Sequence, residues 1–153
     1  MKVLLRLAYR LYRLHWWITR PTTLGVRLIL VRDGQLLLVR HSYQSQWFFP
    51  GGASKRGETL VDAALREALE ETGVRCLATP RLQGIYLNLY EGKNDHIAVF
   101  VCEHFEQGKA TDRWEIAACQ SFPVSALPAD FSPGCARRLQ EYQSGAGPFA
   151  GKW

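Results

Sequence analysis

The chain has 153 residues, 47% of them apolar and 22% charged, and a formal net charge of +5. That length suits one domain with one core, and the composition excludes disordered and collagen-like classes. No stretch reaches the ~20 apolar residues that a membrane span needs. The distribution of charge also argues against a general nucleic-acid-binding body. Lys2, Arg6, Arg10, Arg13 and Arg20 stand in the first twenty residues without an acid, while the other 14 basic residues balance all 14 acidic ones. A basic arm on a neutral body suits contact with an anionic surface.

The arm comes first along the chain. At ~100° per residue its five basic positions fall within a sector of roughly 80°, and Leu, Val, Tyr and Trp fill the other faces. The spacing predicts an amphipathic helix over residues 1–20, ended by Pro21. Three roles stay open for it. It can pack on the domain or on a second subunit, as in a homodimer. It can lie on an anionic membrane surface with Trp16 and Trp17 at the headgroups, or it can be a loose extension. It is a poor secretory signal, because arginines interrupt its apolar run and no small-x-small site follows. Cys76, Cys102, Cys119 and Cys135 form no CxxC pair and read as free thiols in a reducing compartment. The expected location is the cytoplasm, with peripheral contact at the inner membrane face if the arm binds lipid.

Residues 21–153 read as one domain. The runs GVRLILV (25–31) and QLLLVR (35–40) flank Asp33-Gly34, a strong hairpin signal. Residues 46–49 read as a short strand running into Pro50-Gly51-Gly52. A helix is predicted over 59–72, with Thr59 as N-cap, Asp62 completing a capping box and Gly73 just past its end. Strands are expected at 82–90, 96–103 and 115–122. Ser132 as N-cap and Pro133 at the first helical position open a last helix to about Tyr142. The Gly-rich tail SGAGPFAGKW reads as loose.

The chemistry concentrates in residues 51–74. Glu67, Glu70 and Glu71 stand at i, i+3 and i+4, so a helix presents them on one face. Like charges so close repel by a few tenths of a kcal/mol per exposed pair, and a hard divalent cation removes the repulsion. Mg²⁺ takes oxygen ligands, usually one or two carboxylates with waters and substrate phosphates. Gly51-Gly52 has no side chains, so its backbone can approach the helix and offer a carbonyl as a further ligand. Glu58 and Arg66 lie outside the acid trio and can pair with each other, pinning the loop to the helix.

The same segment resembles the Nudix box, G-x5-E-x7-R-E-U-x-E-E-x-G-U, where U is a bulky aliphatic residue. Gly52, Glu58, Arg66, Glu67, Glu70, Glu71 and Gly73 match its fixed positions, and Val74 its last aliphatic one. Ala68 departs from it, standing where the family prefers a larger aliphatic. The flanking layout extends the resemblance over about residues 23–143, without the arm.

Resemblance to the Nudix hydrolase (MutT-like) family implies an α/β fold, an α/β/α sandwich with a mixed sheet. It implies hydrolysis of a nucleoside diphosphate linked to another moiety, with Mg²⁺, or Mn²⁺ in its place, and a metal-activated water. The partner would be a small nucleotide-type substrate, with no specific nucleic acid. Carried over by position, Glu67 and Glu71 are the main metal ligands, Glu70 is a ligand or orients water, and the Gly51 carbonyl is a further ligand. Gly52, Glu58, Arg66 and Gly73 support the box. The base is a box glutamate or an acid of a later loop, for which Glu115 is the leading candidate, with Asp112 and Glu103 behind it. Trp47, Phe48, Tyr86 and Tyr90 are candidates for stacking a nucleobase, with core packing as the competing role. His96 reads as a polar contact or pocket-lining residue. Two rival readings remain: a Nudix-fold binding or regulatory module without turnover, and a membrane-associated hydrolase of a lipid-type diphosphate.

Overall fold

The apolar runs on either side of Asp33-Gly34 build the centre of the sheet. In the computed structural model, which describes residues 9–11, 13, 14, 18, 22–89, 94–111 and 114–153, they are β1 (Thr22–Arg32) and β2 (Gln35–His41), paired antiparallel. Asp33 and Gly34 both have positive φ, 51° and 71°, as the tight turn of a two-residue hairpin requires. The remaining strands are β3 (Val74–Cys76), β4 (Arg81–Asn88), β5 (Asn94–Cys102), β6 (Phe105–Gln107), β7 (Ile116–Pro123) and β8 (Phe149–Lys152). The helices of this body are α1 (Leu60–Thr72) and α2 (Pro133–Gln143). Six strands form one mixed sheet in the order β7-β2-β1-β5-β4-β8, parallel at β1·β5 and β4·β8. β3 and β6 pair separately.

Alternation along β1 sorts its side chains between two cores. Val26, Leu28 and Leu30 join a cluster with Ala63, Ala64 and Ala68 of α1. Ile29 and Val31 join another with Cys135 and Leu139 of α2. The result is an α/β/α sandwich. Three alanines bring the α1 backbone close to the sheet, and Ala68 is wholly buried among them. Both halves of the Thr59–Asp62 capping box are present, and Gly73 closes α1 at φ 73°.

The structure differs from the sequence expectations in several places. Residues 46–49 are not a strand. Trp47 and Phe48 make isolated bridges, to Phe131 and Val39, because the chain turns at once into Pro50. Ser132 precedes α2 but makes no side-chain cap bond. The tail is not loose. β8 adds to the edge of the sheet, and the Trp153 N–H donates to the Leu87 carbonyl at 2.9 Å. The Trp153 side chain occupies the space over Gly134, where an added Cβ would lie 2.1 Å from its Nε1. Two aromatic anchors, Phe149 and Trp153, outweigh the glycines around them. β3 and β6, with three residues each, are too short for periodicity to reveal.

The four cysteines are free. Residues 9–11, 13, 14 and 18 of the arm are helical; Trp16, Trp17 and Pro21 lie outside the described residues. No described helix is long and apolar enough to cross a membrane. Deleting residues 149–153 is expected to cost about 2 kcal/mol or more, by removing Trp153 from its seat and baring the edge of β4. Thermal unfolding of the truncated chain checks this.

Candidate active site

A charged residue inside an apolar central strand begins the site. Arg27 of β1 donates through Nη1 to the carbonyls of Phe49 (3.0 Å) and Gly51 (2.8 Å). The Val26 and Leu28 N–H groups donate to Gly52 and Pro50 carbonyls, both at 2.9 Å, so loop 50–52 runs flat along β1. Only glycine fits at 51: its φ is 144°, and a Cβ would meet the Val26 carbonyl at 2.1 Å. At Gly52 a Cβ would lie 2.7 Å from Glu67 Oε1, so the bare backbone leaves room for that carboxylate.

α1 delivers the acids to this loop. Glu71 is 4% exposed, and its Oε2 accepts the Gly51 N–H at 2.8 Å. Burial pushes its carboxyl up to about 8; the charge of Arg27 and the Gly51 N–H pull it down, while Glu67 and Glu115 push it further up. Burial also raises Glu67, against the opposing hydrogen bond and charge of Arg66.

Arg66 does more than pair with Glu58. Its Nε and Nη2 hold both Glu58 oxygens (2.7 and 3.0 Å), its Nη1 reaches Glu67 (2.6 Å) and Glu70 (3.1 Å), and its Nη2 also donates to the Ala53 carbonyl (3.1 Å). Its hydrogen bonds hold the Glu58 carboxyl down at about 2. Three of the four box acids, Glu58, Glu67 and Glu70, therefore have an arginine partner, and Glu71 is held by a backbone N–H.

β2 and the chain before β7 bring a second group to Glu71. The buried His41 places Nδ1 4.0 Å from Glu71 Oε1 and 3.9 Å from Glu115 Oε1. Tyr43 donates its hydroxyl to Glu115 Oε1 at 2.7 Å and stacks on His41 with ring centroids 5.2 Å apart. Burial and the Glu115 carboxylate raise Tyr43 far above its ordinary value, so its hydroxyl remains a donor. A cleft of about 970 Å³ results, with Arg27, Tyr43, Phe48, Glu67, Glu71 and Glu115 in its walls.

Other candidates fall elsewhere. Trp47 is buried, edge-on to Phe122 at 4.9 Å with the Arg40 guanidinium over its face. Tyr86 is buried, donates its hydroxyl to Glu141 at 2.6 Å and carries Arg138 on its ring. Both are core residues rather than stacking surfaces: strand register turns Tyr86 inward, and the bridge to Phe131 sets Trp47 in the same core. Glu103 accepts from the Tyr142 hydroxyl, away from the cleft. Neither Glu70 nor His96 lines the cleft. Tyr90 and Asp112 lie outside the described residues. Sequence reasoning missed Arg27, His41 and Tyr43. Arg27 had a signal, a lone charge inside an apolar strand; His41 ends β2 and Tyr43 follows it, with no distinguishing spacing.

Among the described residues, no three acidic, histidine or cysteine side chains form a metal cluster by themselves. The donor set beside the loop is the Glu67 and Glu71 carboxylates and the Gly51 carbonyl, which also accepts from Arg27; all are hard oxygens in the cleft wall. That set suits Mg²⁺, which leaves positions for water and phosphate.

The NUDIX domain model matches residues 21–142. The chain belongs to the Nudix family. It is a Nudix-type hydrolase, and such enzymes act on phosphorus-containing acid anhydrides. A MutT-like protein of Streptomyces ambofaciens is 33% identical over 132 residues, 82% of this chain and 80% of that one. The MutT Nudix hydrolase of Burkholderia pseudomallei shares the fold with a TM-score of 0.69 at 21% identity, covering 78% of this chain and 97% of that one. A UDP-X diphosphatase superposes with a TM-score of 0.68 at 26% identity, over 84% of this chain and 66% of that one.

Two predictions follow from this geometry. Gly52→Ala drives the Glu67 carboxylate from its place and is expected to lower hydrolysis ~100-fold, as a 1 Å misplacement can, which steady-state kinetics would read. Glu71 binds its proton more tightly folded (about 8) than unfolded (4.5), so cation-free protein loses stability as pH rises through that window. The loss is on the order of a few kcal/mol. Glu71→Gln removes it, raising the cation-free melting temperature at pH 8 above the wild type; identical pH profiles would contradict the burial argument.

Proposed function

We propose that this Nudix hydrolase cleaves the diphosphate of a nucleoside diphosphate linked to a second moiety, using Mg²⁺ with Mn²⁺ as a substitute. The observation that carries the reading is the buried Glu71, beside Glu67 on α1, with the Gly51-Gly52 backbone laid against both in the wall of the cleft. Glu67 and Glu71, with the Gly51 carbonyl, would hold the cation, and Glu70 would act through Arg66, which it shares with Glu67. A cation bound there supplies charge neutralisation for the diphosphate and lowers the pKa of an attacking water.

The protein's own groups do the rest. Arg66, clamped by Glu58, fixes the position of Glu67. Arg27 holds the loop carbonyls and sets a positive charge in the cleft wall. Glu115 is the general base in this reading, taking the proton of the attacking water at its carboxylate. The Tyr43 hydroxyl orients that carboxylate. Phe48, with Arg27 5.8 Å from its ring centroid, offers a face on which a nucleobase can stack. The UDP-X diphosphatase likeness supports UDP-linked compounds as a first class to try. Four free thiols support a reducing compartment, the cytoplasm. The complete acid set weighs against a binding module without turnover.

The test is a hydrolysis screen with Mg²⁺ and Mn²⁺ over nucleoside triphosphates, nucleotide sugars, dinucleoside polyphosphates and capped RNA. Cation-dependent cleavage of at least one class is expected, with kcat/KM reduced ~100-fold or more by Glu71→Gln. Silence across the panel favours the binding-module reading. Glu115→Gln is expected to lower kcat by ~100-fold or more with KM little changed; an unchanged kcat removes Glu115 as the base.

A further inference from the structure

Among the described residues of the arm, Tyr9 meets the body while three apolar side chains on the opposite side are bare. Tyr9 lines the cleft and lies with its ring centroid 5.3 Å from that of Tyr43. Leu11, Leu14 and Ile18 are 62%, 56% and 68% exposed. At ~100° per residue these three fall within a sector of roughly 60°, centred roughly 170° from Tyr9. The stripe continues at the same spacing in the sequence to Leu7 and Leu4. Arg10, exposed, stands ~40° beyond Leu14 on the flank of the stripe, while Arg13 stands nearer to Tyr9.

A stripe of that spacing suits either a matching helix of a second copy or a lipid surface. Helix pairing needs complementary charges at its flanks and three to four heptads of length. From Leu4 to Ile18 the stripe spans about two heptads. The first twenty residues hold five basic side chains and no acid, so two copies would bring like charges together. An anionic lipid surface supplies what the arm lacks: an apolar layer for Leu11, Leu14 and Ile18, and negative headgroups for Arg10 at the edge of that face. The rest of the chain is electrically balanced, which leaves the arm as the seat of attraction.

We propose that the outward face of the arm docks this enzyme on an anionic lipid surface. Tyr9, on the far side of the same helix, then holds the cleft one helix diameter from that surface, ~10 Å. The proposal is independent of which diphosphate the cleft takes.

The experiment is cosedimentation of the full chain with vesicles of equal parts phosphatidylglycerol and phosphatidylcholine, beside vesicles of phosphatidylcholine alone. Binding to the anionic vesicles is expected to be at least tenfold tighter and to weaken with added salt. A triple variant, Leu11→Asp with Leu14→Asp and Ile18→Asp, is expected to lose ~tenfold or more of that binding. Its melting temperature should match the wild type, because those side chains are exposed. A second variant, Arg10→Gln, keeps the apolar face and should lose mainly the preference for anionic lipid. No sedimentation with anionic vesicles overturns the proposal, as does undiminished binding by the triple variant. A dimer in sedimentation equilibrium that the triple variant dissolves also overturns it, by assigning the face to a second copy.

Discussion

The N–H of Gly51 donates to a carboxylate oxygen of Glu71 inside the fold, at 2.8 Å, and much of the cleft follows from accommodating that buried acid. A carboxylate out of water needs donors or a cation. The backbone can approach closely enough to donate only where it carries no side chain, and Gly51 sits so tightly against β1 that a Cβ would collide with the Val26 carbonyl. Arg27 secures the same loop from the other side through the Phe49 and Gly51 carbonyls. A strand, a glycine loop and a helix are thus locked together around one carboxyl group.

The other box acids are treated differently. Arg66 reaches Glu58, Glu67 and Glu70 at once, so these three share one guanidinium. Among the described residues Glu71 has no lysine or arginine within ion-pair distance; its neighbours are His41 and, through the field, Arg27. That asymmetry divides the labour. Arg66 sets geometry, and Glu71, buried with no side-chain cation of its own, gains most from a divalent cation that takes the place of its proton. Ala68 belongs to the same arrangement, because an alanine there lets α1 lie close enough to the sheet for Glu71 to be buried.

Much of this was legible in the sequence where spacing carries chemistry. The i, i+3, i+4 acids, the Thr59–Asp62 cap, Gly73 and the Asp33-Gly34 turn each act locally, so their residue types predict their geometry. Long-range placement was not legible in the same way. Trp47 and Tyr86 look like stacking residues in one dimension, and only their long-range pairing shows that they face the core. Arg27 and His41 act through a loop and a helix distant in sequence. The tail misled because glycine content signals looseness, whereas Trp153 over Gly134 fixes it. The arm's amphipathic pattern was plain, but which side meets the body depended on Tyr9 finding Tyr43.

The cleft and the arm meet at Tyr43, which hydrogen-bonds Glu115, stacks on His41 and receives Tyr9. The central claim remains the buried carboxylate as the anchor of a cation. Mn²⁺ binding, read by electron paramagnetic resonance at pH 7.5 without substrate, tests it most directly. The account predicts a bound population in the wild type that weakens at least ~tenfold in Glu71→Gln and persists in Glu103→Gln. Equal Mn²⁺ affinity in the wild type and Glu71→Gln would contradict it.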